Sequence, residues 1–303
     1  MPYVTVIGAA HMDQNAKTFR RIIPHDSNPG VSTLSPGGVG RNIAENLARL
    51  GAEVKLIAAV GNDPEGVRVL DSCRAVGIDV GHCQVQAGVS TSRYIAILDA
   101  DGEMHVALMD DSCMITPAHV FAQSAVIGES GVIVLDVNLD PCILTHILDE
   151  FSNHDIYIDP ISVTKTEKLR PFVGRFHTIK LNNLEAAALT GFAIGDEASL
   201  RRAGDYFLAA GTQRVVISLG VEGLYYRTRE AEIRLKSEPL VPKNASGAGD
   251  ALMAGLVYCS LMGKPATYTA EFSQAVAHFA LMSDLTVSRE ITAAAIETHM
   301  RGV

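Results

Sequence analysis

Asn244-Ala-Ser-Gly-Ala-Gly-Asp250-Ala-Leu-Met-Ala-Gly255 is a turn of small residues that runs directly into an apolar helical segment. Because side chains are nearly absent where the helix begins, the amides of Gly247, Ala248 and Gly249 can approach an anion closely. The dipole of the helix adds partial positive charge at the same point. The stretch therefore predicts an anion hole with one carboxylate, Asp250, beside it.

Asp250 has two interpretations at this position. It can remove a proton from a hydroxyl group while the amides hold the charge of an arriving phosphoryl group. Alternatively, it only caps the helix, which is a common role for aspartate. The chain contains neither GxxxxGK[ST] nor GxGxxG, so P-loop nucleotidases and dinucleotide dehydrogenases lack their usual phosphate loop here.

Away from this turn, short β-branched runs alternate with segments of helical spacing, such as Val39, Ile43, Leu47 and Leu50. This alternation predicts an α/β layered fold with a mostly parallel central sheet flanked by helices. The runs expected to form buried strands are 4–7, 54–59, 132–135, 156–158, 178–181 and 215–219.

Two segments, 14–36 and 85–108, interrupt the alternation, and the second contains an Asp99-Ala-Asp-Gly102 turn between two strand-like runs. We expect a small β-rich lid built from about 14–36 and 85–110, placed to close over a ligand at the carboxyl edge of the sheet. No linker is visible, so residues 1–303 are expected to form a single domain.

The composition limits the possible partners. The chain of 303 residues has a net charge of -9 and no Lys/Arg cluster, which argues against nucleic acid as a partner. No apolar stretch is long enough to span a membrane, and Met1 to Ala10 lacks a basic leader, so we expect a cytoplasmic protein. The five cysteines are scattered, and the histidines, including His278, indicate no metal cluster.

A second glycine cluster, Pro36-Gly-Gly-Val-Gly-Arg-Asn42, opens a predicted helix. Its glycines allow the backbone to approach a ligand closely, and Asn42 can both donate and accept hydrogen bonds. Such a site suits the hydroxyl groups of a sugar.

The two glycine regions together resemble the two signature regions of the ribokinase-like (PfkB) family of carbohydrate and nucleoside kinases. Asn182-Asn-Leu-Glu185 is similar to the family's Asn-x-x-Glu motif, and Ser218-Leu-Gly220-Val-Glu-Gly223 looks like its nucleotide-binding strand and turn. His11 and Leu181 depart from the family pattern, which commonly has Asn and Pro there.

The resemblance implies a role for each matching residue. Asp250 would act as general base and the amides of residues 247–249 as the anion hole. The ribose hydroxyls would be held by Asp13, Gly37, Gly38, Gly40 and Asn42. ATP would be bound by Ser218, Gly220, Gly223 and Ser246. Asn182 and Glu185 would organise Mg2+, through water. Asn244 stands where many relatives have Asp, so a requirement for K+ stays open.

Within the family, the segments 26–30, 36–44, 91–94 and 159–165 resemble the subfamily of pseudouridine kinases. For such a substrate we expect a base pocket that includes Thr91, Asn138 and Lys165. A hydrogen-bond acceptor there, Thr91 or Asn138, would recognise the extra N1–H of pseudouridine. Two alternatives stay open, namely a kinase for another sugar or nucleoside and a non-catalytic nucleoside sensor. The exposed edges of the β lid further predict a homodimer.

Overall fold

The computed structural model describes residues 2–244 and 246–302. Its main feature is an eight-stranded sheet, in which six neighbouring strands run parallel and two further strands extend one edge through antiparallel pairs. In spatial order the strands are β14 (Glu232–Leu235), β13 (Leu224–Arg227), β12 (Arg214–Ser218), β11 (Thr178–Asn182), β10 (Asp155–Asp159), β9 (Val132–Asp136), β1 (Val4–Ile7) and β4 (Val54–Ile57).

Helices cover both faces of this sheet. On one face lie α1 (Val39–Leu50), α2 (Pro64–Arg74), α9 (Ala248–Leu261), α10 (Ala266–Leu281) and α11 (Ala293–Met300). On the other lie α3 (Pro117–Phe121), α4 (Ser124–Gly128), α5 (Pro141–Glu150), α7 (Asn183–Thr190) and α8 (Glu197–Ala210). The short helix α6 (Val163–Thr166) and two 3-10 helices, Glu167–Arg175 and Gly220–Glu222, complete the helical elements.

The alternation of side chains along each strand feeds two separate cores. In β9, Val134 is buried in the core with α1 and α9, whereas Ile133 and Leu135 are buried in the core on the opposite face. Successive side chains of a strand point to opposite faces, so a sheet covered on both sides needs apolar residues at every position. This explains why the sheet strands read as continuous apolar runs.

The predicted fold class is confirmed, because a mostly parallel sheet lies between two helical layers. The expected strand 54–59 is instead interrupted at Ala58, and Ala59–Gly61 (β5) pairs with Gln84–Gln86 (β6) in a separate two-stranded sheet. Residue 85, at which the second segment of the lid was expected to begin, therefore belongs to a different sheet.

A separate four-stranded sheet is formed by the two segments that interrupt the α/β alternation. Its strands, in spatial order, are β3 (Gly30–Gly37), β2 (His11–Thr18), β7 (Arg93–Leu98) and β8 (Met104–Asp110). We call it the small sheet. Strands β7 and β8 form a hairpin on either side of the Asp99–Gly102 turn, and β2 pairs with β7 in parallel. Closure of the small sheet over a ligand remains a prediction.

Among the described residues, none of the helices has the length and apolar character needed to cross a lipid bilayer.

Candidate active site

Polar side chains terminate four adjacent strands of the main sheet. Asp136, Asp159, Asn182 and Ser218 are the last residues of β9, β10, β11 and β12. The parallel register places Asp136 beside Asp159 and Asn182 beside Ser218. The carboxyl edge of a parallel sheet is where α/β proteins bind their ligands. The strand ends therefore define one face of a candidate site.

Helix α9 begins in a tight turn beside this edge. Gly247 caps the helix with a φ of 84°, and a Cβ atom there would lie 2.1 Å from the carbonyl oxygen of Thr286. A Cβ atom on Gly249 would lie 2.8 Å from Nζ of Lys180. Glycine is thus required at residue 247, whereas a side chain at residue 249 would displace the ammonium group of Lys180. The first amides of the helix, which have no partner within it, lie next to a lysine ammonium group.

Asp250 lies in the first turn of α9 and is buried, with 8% of its surface exposed. Nδ2 of Asn42 donates a hydrogen bond to Oδ2 of Asp250 over 2.9 Å. Burial, together with the negative charge of Asp159, raises the pKa of Asp250 to about 7, although Lys180 and Asn42 oppose this shift. A carboxyl group with a pKa near neutrality can accept a proton and release it again, which suits a general base.

Lys180 is a site residue that the sequence analysis missed. Its ammonium group forms a buried ion pair with Asp159, with 2.7 Å between Nζ and Oδ2. Burial is the largest single effect and favours the neutral amine, but the charge and hydrogen bond of Asp159, with the charges of Asp250 and Glu185, together outweigh it. The pKa of Lys180 is therefore raised and the side chain stays charged. A lysine within the apolar run Thr-Ile-Lys-Leu of β11 was the signal that could have revealed it.

Asp136 was also missed, and it holds the backbone of the glycine cluster 36–42. Its Oδ2 accepts hydrogen bonds from the backbone amides of Ala9 at 2.7 Å and Gly40 at 3.1 Å, and its Oδ1 accepts one from the amide of Asn138 at 2.9 Å. Burial nevertheless raises the pKa of Asp136 to about 6. An acidic residue directly after a buried apolar strand is the sequence signal for both Asp136 and Asp159.

The structure brings the predicted sugar-binding residue Asp13 together with the glycine cluster 36–42. The carboxylate of Asp13 lies against Gly37, where a Cβ atom would approach it within 2.3 Å. Gly38 has a φ of 100° and caps α1, and Gly40 packs against the backbone of Gly8. Nδ1 of His11 lies 3.1 Å from Oδ1 of Asp13. A side chain at Gly37 would therefore displace the proposed sugar ligand Asp13.

Asn42 is buried, and the contacts of its amide group differ from the expected ones. Its Nδ2 donates to Asp250, while its Oδ1 accepts a hydrogen bond from Nη1 of Arg41 at 3.0 Å. Arg41 is in turn paired with Glu45. The structure thus gives Asn42 a role in positioning the carboxylate of Asp250, which the sequence did not predict.

Two of the predicted base-pocket residues lie together and the third does not fit its expected role. Nζ of Lys165 donates a hydrogen bond to Oδ1 of Asn138. Thr91 is fully buried, and its hydroxyl donates to Asp63 at 2.6 Å while accepting from the amide of Gly61 at 3.0 Å. These bonds tie Thr91 into the protein interior, so the expectation that its hydroxyl accepts a hydrogen bond from the base is wrong.

A cavity of about 780 Å³ adjoins the amino end of α9, and it is large enough for a nucleotide. Three residues predicted to bind ATP, Ser218, Gly220 and Gly223, line it together with Ala248 and Gly249. The fourth, Ser246, donates its backbone amide to Oδ1 of Asn244 over 2.9 Å in the preceding turn.

Asn182 and Glu185 form a capping box at the start of α7. Oδ1 of Asn182 accepts a hydrogen bond from the amide of Glu185, and Oε2 of Glu185 accepts one from the amide of Asn182, each over 2.8 Å. Burial raises the pKa of Glu185. Oxygen ligands beside an excess of buried carboxylates fit a hard cation such as Mg2+, which would help neutralise the phosphates of a nucleotide.

Comparisons with known proteins identify the family of this chain. Residues 1–291 match the model of the pfkB family carbohydrate kinases. The pseudouridine kinase of Escherichia coli is 36% identical over 96% of this chain and 94% of its own length. The uncharacterized sugar kinase YeiI of Escherichia coli is 32% identical over 91% of this chain and 77% of its own length. The ribokinase of Arabidopsis thaliana, solved with ribose and ATP, has a TM-score of 0.85 at 15% identity, over 99% of both chains.

The fold and the family match together define an ATP-dependent kinase that acts on a hydroxyl group. The chain belongs to the pfkB family of carbohydrate kinases, and the ribokinase-like resemblance predicted from the sequence is confirmed.

The raised pKa of Asp250 predicts how the free energy of unfolding depends on pH. In the unfolded chain an aspartate ionises with a pKa of about 3.9, so the folded chain binds more protons than the unfolded chain between about pH 4 and about pH 7. The free energy of unfolding therefore falls as the pH rises through this range, because Asp250 loses its proton more readily in the unfolded chain than in the folded one. We expect Asp250→Asn to be more stable than the original chain, with a gap that widens up to about pH 7 and is constant above it.

Thermal unfolding of the original chain and of Asp250→Asn, from about pH 5 to about pH 8.5, measures this difference in stability. Asp284→Asn is the control, because the Asp284 side chain is 85% exposed and its replacement should give a difference that does not follow this profile. An equal gap between Asp250→Asn and the original chain at every pH would contradict the burial of an ionisable group at residue 250.

Proposed function

We propose that this chain is a pseudouridine kinase, which transfers the γ-phosphoryl group of MgATP to the 5'-hydroxyl of pseudouridine and gives pseudouridine 5'-phosphate and ADP. The observation that carries the catalytic part is the position of Asp250, a buried carboxylate at the amino end of α9 beside a nucleotide-sized cavity. The 36% identity to the pseudouridine kinase of Escherichia coli, over nearly the whole of both chains, supports the choice of substrate.

Asp250 is the general base in this proposal. It accepts the proton of the 5'-hydroxyl as the 5'-oxygen forms a bond to the γ-phosphorus, while the bond from that phosphorus to the leaving oxygen of ADP breaks. The hydrogen bond from Asn42 fixes the carboxylate and favours its ionised form. The accepted proton afterwards passes to solvent, which a group with a pKa of about 7 allows near neutral pH.

The amides of Gly247, Ala248 and Gly249 and the ammonium group of Lys180 form the anion hole. Lys180 lies against Gly249, so its charge adds to the partial charge of the helix terminus. Positive groups that are already in place stabilise the charge on the transferred phosphoryl group without reorganising during the reaction. Lys180 is held there by its ion pair with Asp159.

The ATP site in this proposal is the cavity lined by Ser218, Gly220 and Gly223. Ala248 and Gly249 also line this cavity, so an ATP molecule with its phosphates at the start of α9 would extend into it. The ribokinase of Arabidopsis thaliana was solved with ATP and shares this fold, which supports a nucleotide here. Asn182 and Glu185 would hold Mg2+ through water. Because ATP is the donor, we place the activity in the cytoplasm.

Asn138 is the proposed acceptor for the N1–H of the base. Lys165 can only donate hydrogen bonds, so its contact with Oδ1 fixes which end of the Asn138 amide is the carbonyl oxygen. That oxygen has a second lone pair, which would bond the N1–H of pseudouridine and stay unpaired when uridine is bound. Asp13, beside Gly37, would hold the ribose hydroxyls.

A second substrate class has direct support, because YeiI, named as a sugar kinase, is 32% identical over 91% of this chain. A sugar kinase would share Asp250 and the anion hole, and it would differ around Asn138 and Lys165.

We also propose that the protein is a homodimer that associates through the small sheet. Both outer strands of that sheet, β3 and β8, carry exposed apolar side chains, among them Val31, Val106 and Leu108, which are 55%, 55% and 59% exposed. Exposed sheet edges of this kind are usually covered by a partner.

Asp250→Asn should reduce turnover of the kinase by roughly a hundredfold or more, because the amide cannot accept the proton. Binding of pseudouridine, measured by calorimetry, should be largely retained. The release of ADP by coupled assay measures turnover. If the variant turns over as fast as the original chain, Asp250 is not the general base. If the original chain itself binds pseudouridine but never releases ADP, the protein is a sensor.

A substrate panel tests the choice of substrate. ADP release with pseudouridine, uridine, adenosine, ribose and fructose should give the highest kcat/KM for pseudouridine. Lys165→Met should lower the ratio of kcat/KM for pseudouridine over uridine, since it removes the group that orients Asn138. Lys168→Met, an exposed lysine one turn away, is the matched control and should keep the ratio. No turnover of pseudouridine, with turnover of a sugar, would favour the second class.

Val106→Lys should dissociate the proposed dimer, because it places a charge on the outer strand of the small sheet. Light scattering at micromolar concentration should show a dimer for the original chain and a monomer for the variant. Leu285→Lys, at an apolar side chain 46% exposed beyond α10, is the control and should remain a dimer. A monomeric original chain would exclude the dimer.

A further inference from the structure

Three metal-ligating side chains converge on the wall of the large cavity. Glu238 lies in the segment before α9, His278 in the last turn of α10 and His299 in the last turn of α11. Their ligand atoms all lie within 4.8 Å of one another. Glu238 and His278 are forty positions apart in the sequence, and His278 and His299 are twenty-one apart. The packing of α10 and α11 brings them together, so their spacing in the sequence did not predict a metal site.

The distances in this cluster fit a shared metal ion better than they fit hydrogen bonds. Oε2 of Glu238 lies 3.7 Å from Nδ1 of His278 and 3.5 Å from Nε2 of His299. Hydrogen bonds between such groups are about 2.7–3.2 Å long. Two ligands of a tetrahedral zinc ion, each about 2.0–2.2 Å from it, lie about 3.3–3.5 Å apart. The carboxylate oxygen is therefore spaced from both imidazole nitrogens much as neighbouring ligands of one ion are.

The two imidazole rings are partly fixed by their surroundings. Their centroids are 4.9 Å apart, and the ring of Phe279 meets the ring of His299 edge to face at 5.6 Å. The side chains of His278 and His299 are 20% and 29% exposed, so they are accessible to an ion from the cavity, whereas Glu238 is 62% exposed and can adjust its position. Two held imidazoles and one adjustable carboxylate need only small movements to bind an ion.

We propose that Glu238, His278 and His299 form a binding site for a divalent transition-metal ion of the zinc class. Two nitrogen ligands and one oxygen ligand suit Zn2+, Co2+ or Ni2+, while Mg2+ strongly prefers oxygen ligands. The site is therefore distinct from the proposed Mg2+ position at Asn182 and Glu185. With three protein ligands, the fourth coordination position stays open to water or to a ligand in the cavity.

A metal ion bound at this site would change the nucleotide cavity and raise the stability of the folded chain. Glu238, His278 and His299 line the same cavity as Ala248 and Gly249, so a bound ion occupies space and adds positive charge inside it. The ion also connects the segment of Glu238 to α10 and α11. Binding that requires the folded arrangement of three elements raises the stability of the folded chain.

Binding of Zn2+ alone to the full chain, without an affinity tag and without nucleotide, tests the proposal by calorimetry. We expect one site per chain. His299→Ala should weaken its affinity at least a hundredfold, and Glu238→Gln at least tenfold. Because Glu238 is largely exposed, its replacement leaves the fold intact, which circular dichroism can verify. His146→Ala is the matched control, since among the described residues His146 pairs with a single carboxylate, that of Glu150 at 2.9 Å, and should retain the affinity.

A second measurement reports the geometry and the stabilisation. Co2+ should give a visible absorption band typical of four-coordinate cobalt, which Glu238→Gln and His299→Ala lose and His146→Ala keeps. Zn2+ should raise the thermal unfolding midpoint of the original chain but not that of Glu238→Gln. Failure of Zn2+ to bind, or equal affinity in Glu238→Gln, His299→Ala and the original chain, would overturn the proposal. Neither readout requires kinase turnover, so the result is independent of the proposed substrate.

Discussion

The ion pair between Lys180 and Asp159 is the interaction on which the candidate site depends. Four carboxyl groups, those of Asp136, Asp159, Glu185 and Asp250, are buried near the carboxyl edge of the main sheet. Lys180 is the buried ammonium group among them, and it pairs directly with Asp159. Burying a charge without a partner is costly, so the other acids must be held by hydrogen bonds or carry a proton. Burial raises the pKa of Asp250 to about 7 for this reason.

The surrounding fold supplies what each acid needs. Backbone amides hold Asp136 and Glu185, while the side-chain amide of Asn42 holds Asp250. One of these donors is the amide of Gly40 in the glycine cluster 36–42, and another is the amide of Asn182, which caps α7. An excess of buried negative charge is also the property that a magnesium–nucleotide site uses, because the cation offsets it. The excess of buried negative charge thus both prepares the site for magnesium and nucleotide and costs stability in the folded chain.

Much of this architecture could be read from the sequence, because apolar runs and glycine turns are local signals. The six strand runs, the α9 turn and Asp250 were predicted from such patterns, and the fold class is confirmed. Lys180 and Asp136 were missed because their roles arise from contacts between distant segments. Thr91 was misassigned for the same reason, since only the structure shows its hydroxyl bonded to Asp63 and Gly61. The cluster of Glu238, His278 and His299 depends wholly on tertiary packing.

The most direct measurement of the central claim is a crystal structure of the chain with pseudouridine and a non-hydrolysable ATP analogue. We expect the 5'-oxygen of the nucleoside to lie about 2.6–3.2 Å from a carboxylate oxygen of Asp250. We also expect the terminal phosphate to contact the first amides of α9 and the ammonium group of Lys180. A nucleoside bound with its 5'-oxygen away from Asp250, or phosphates bound away from the start of α9, would rule out Asp250 as the general base or α9 as the anion hole.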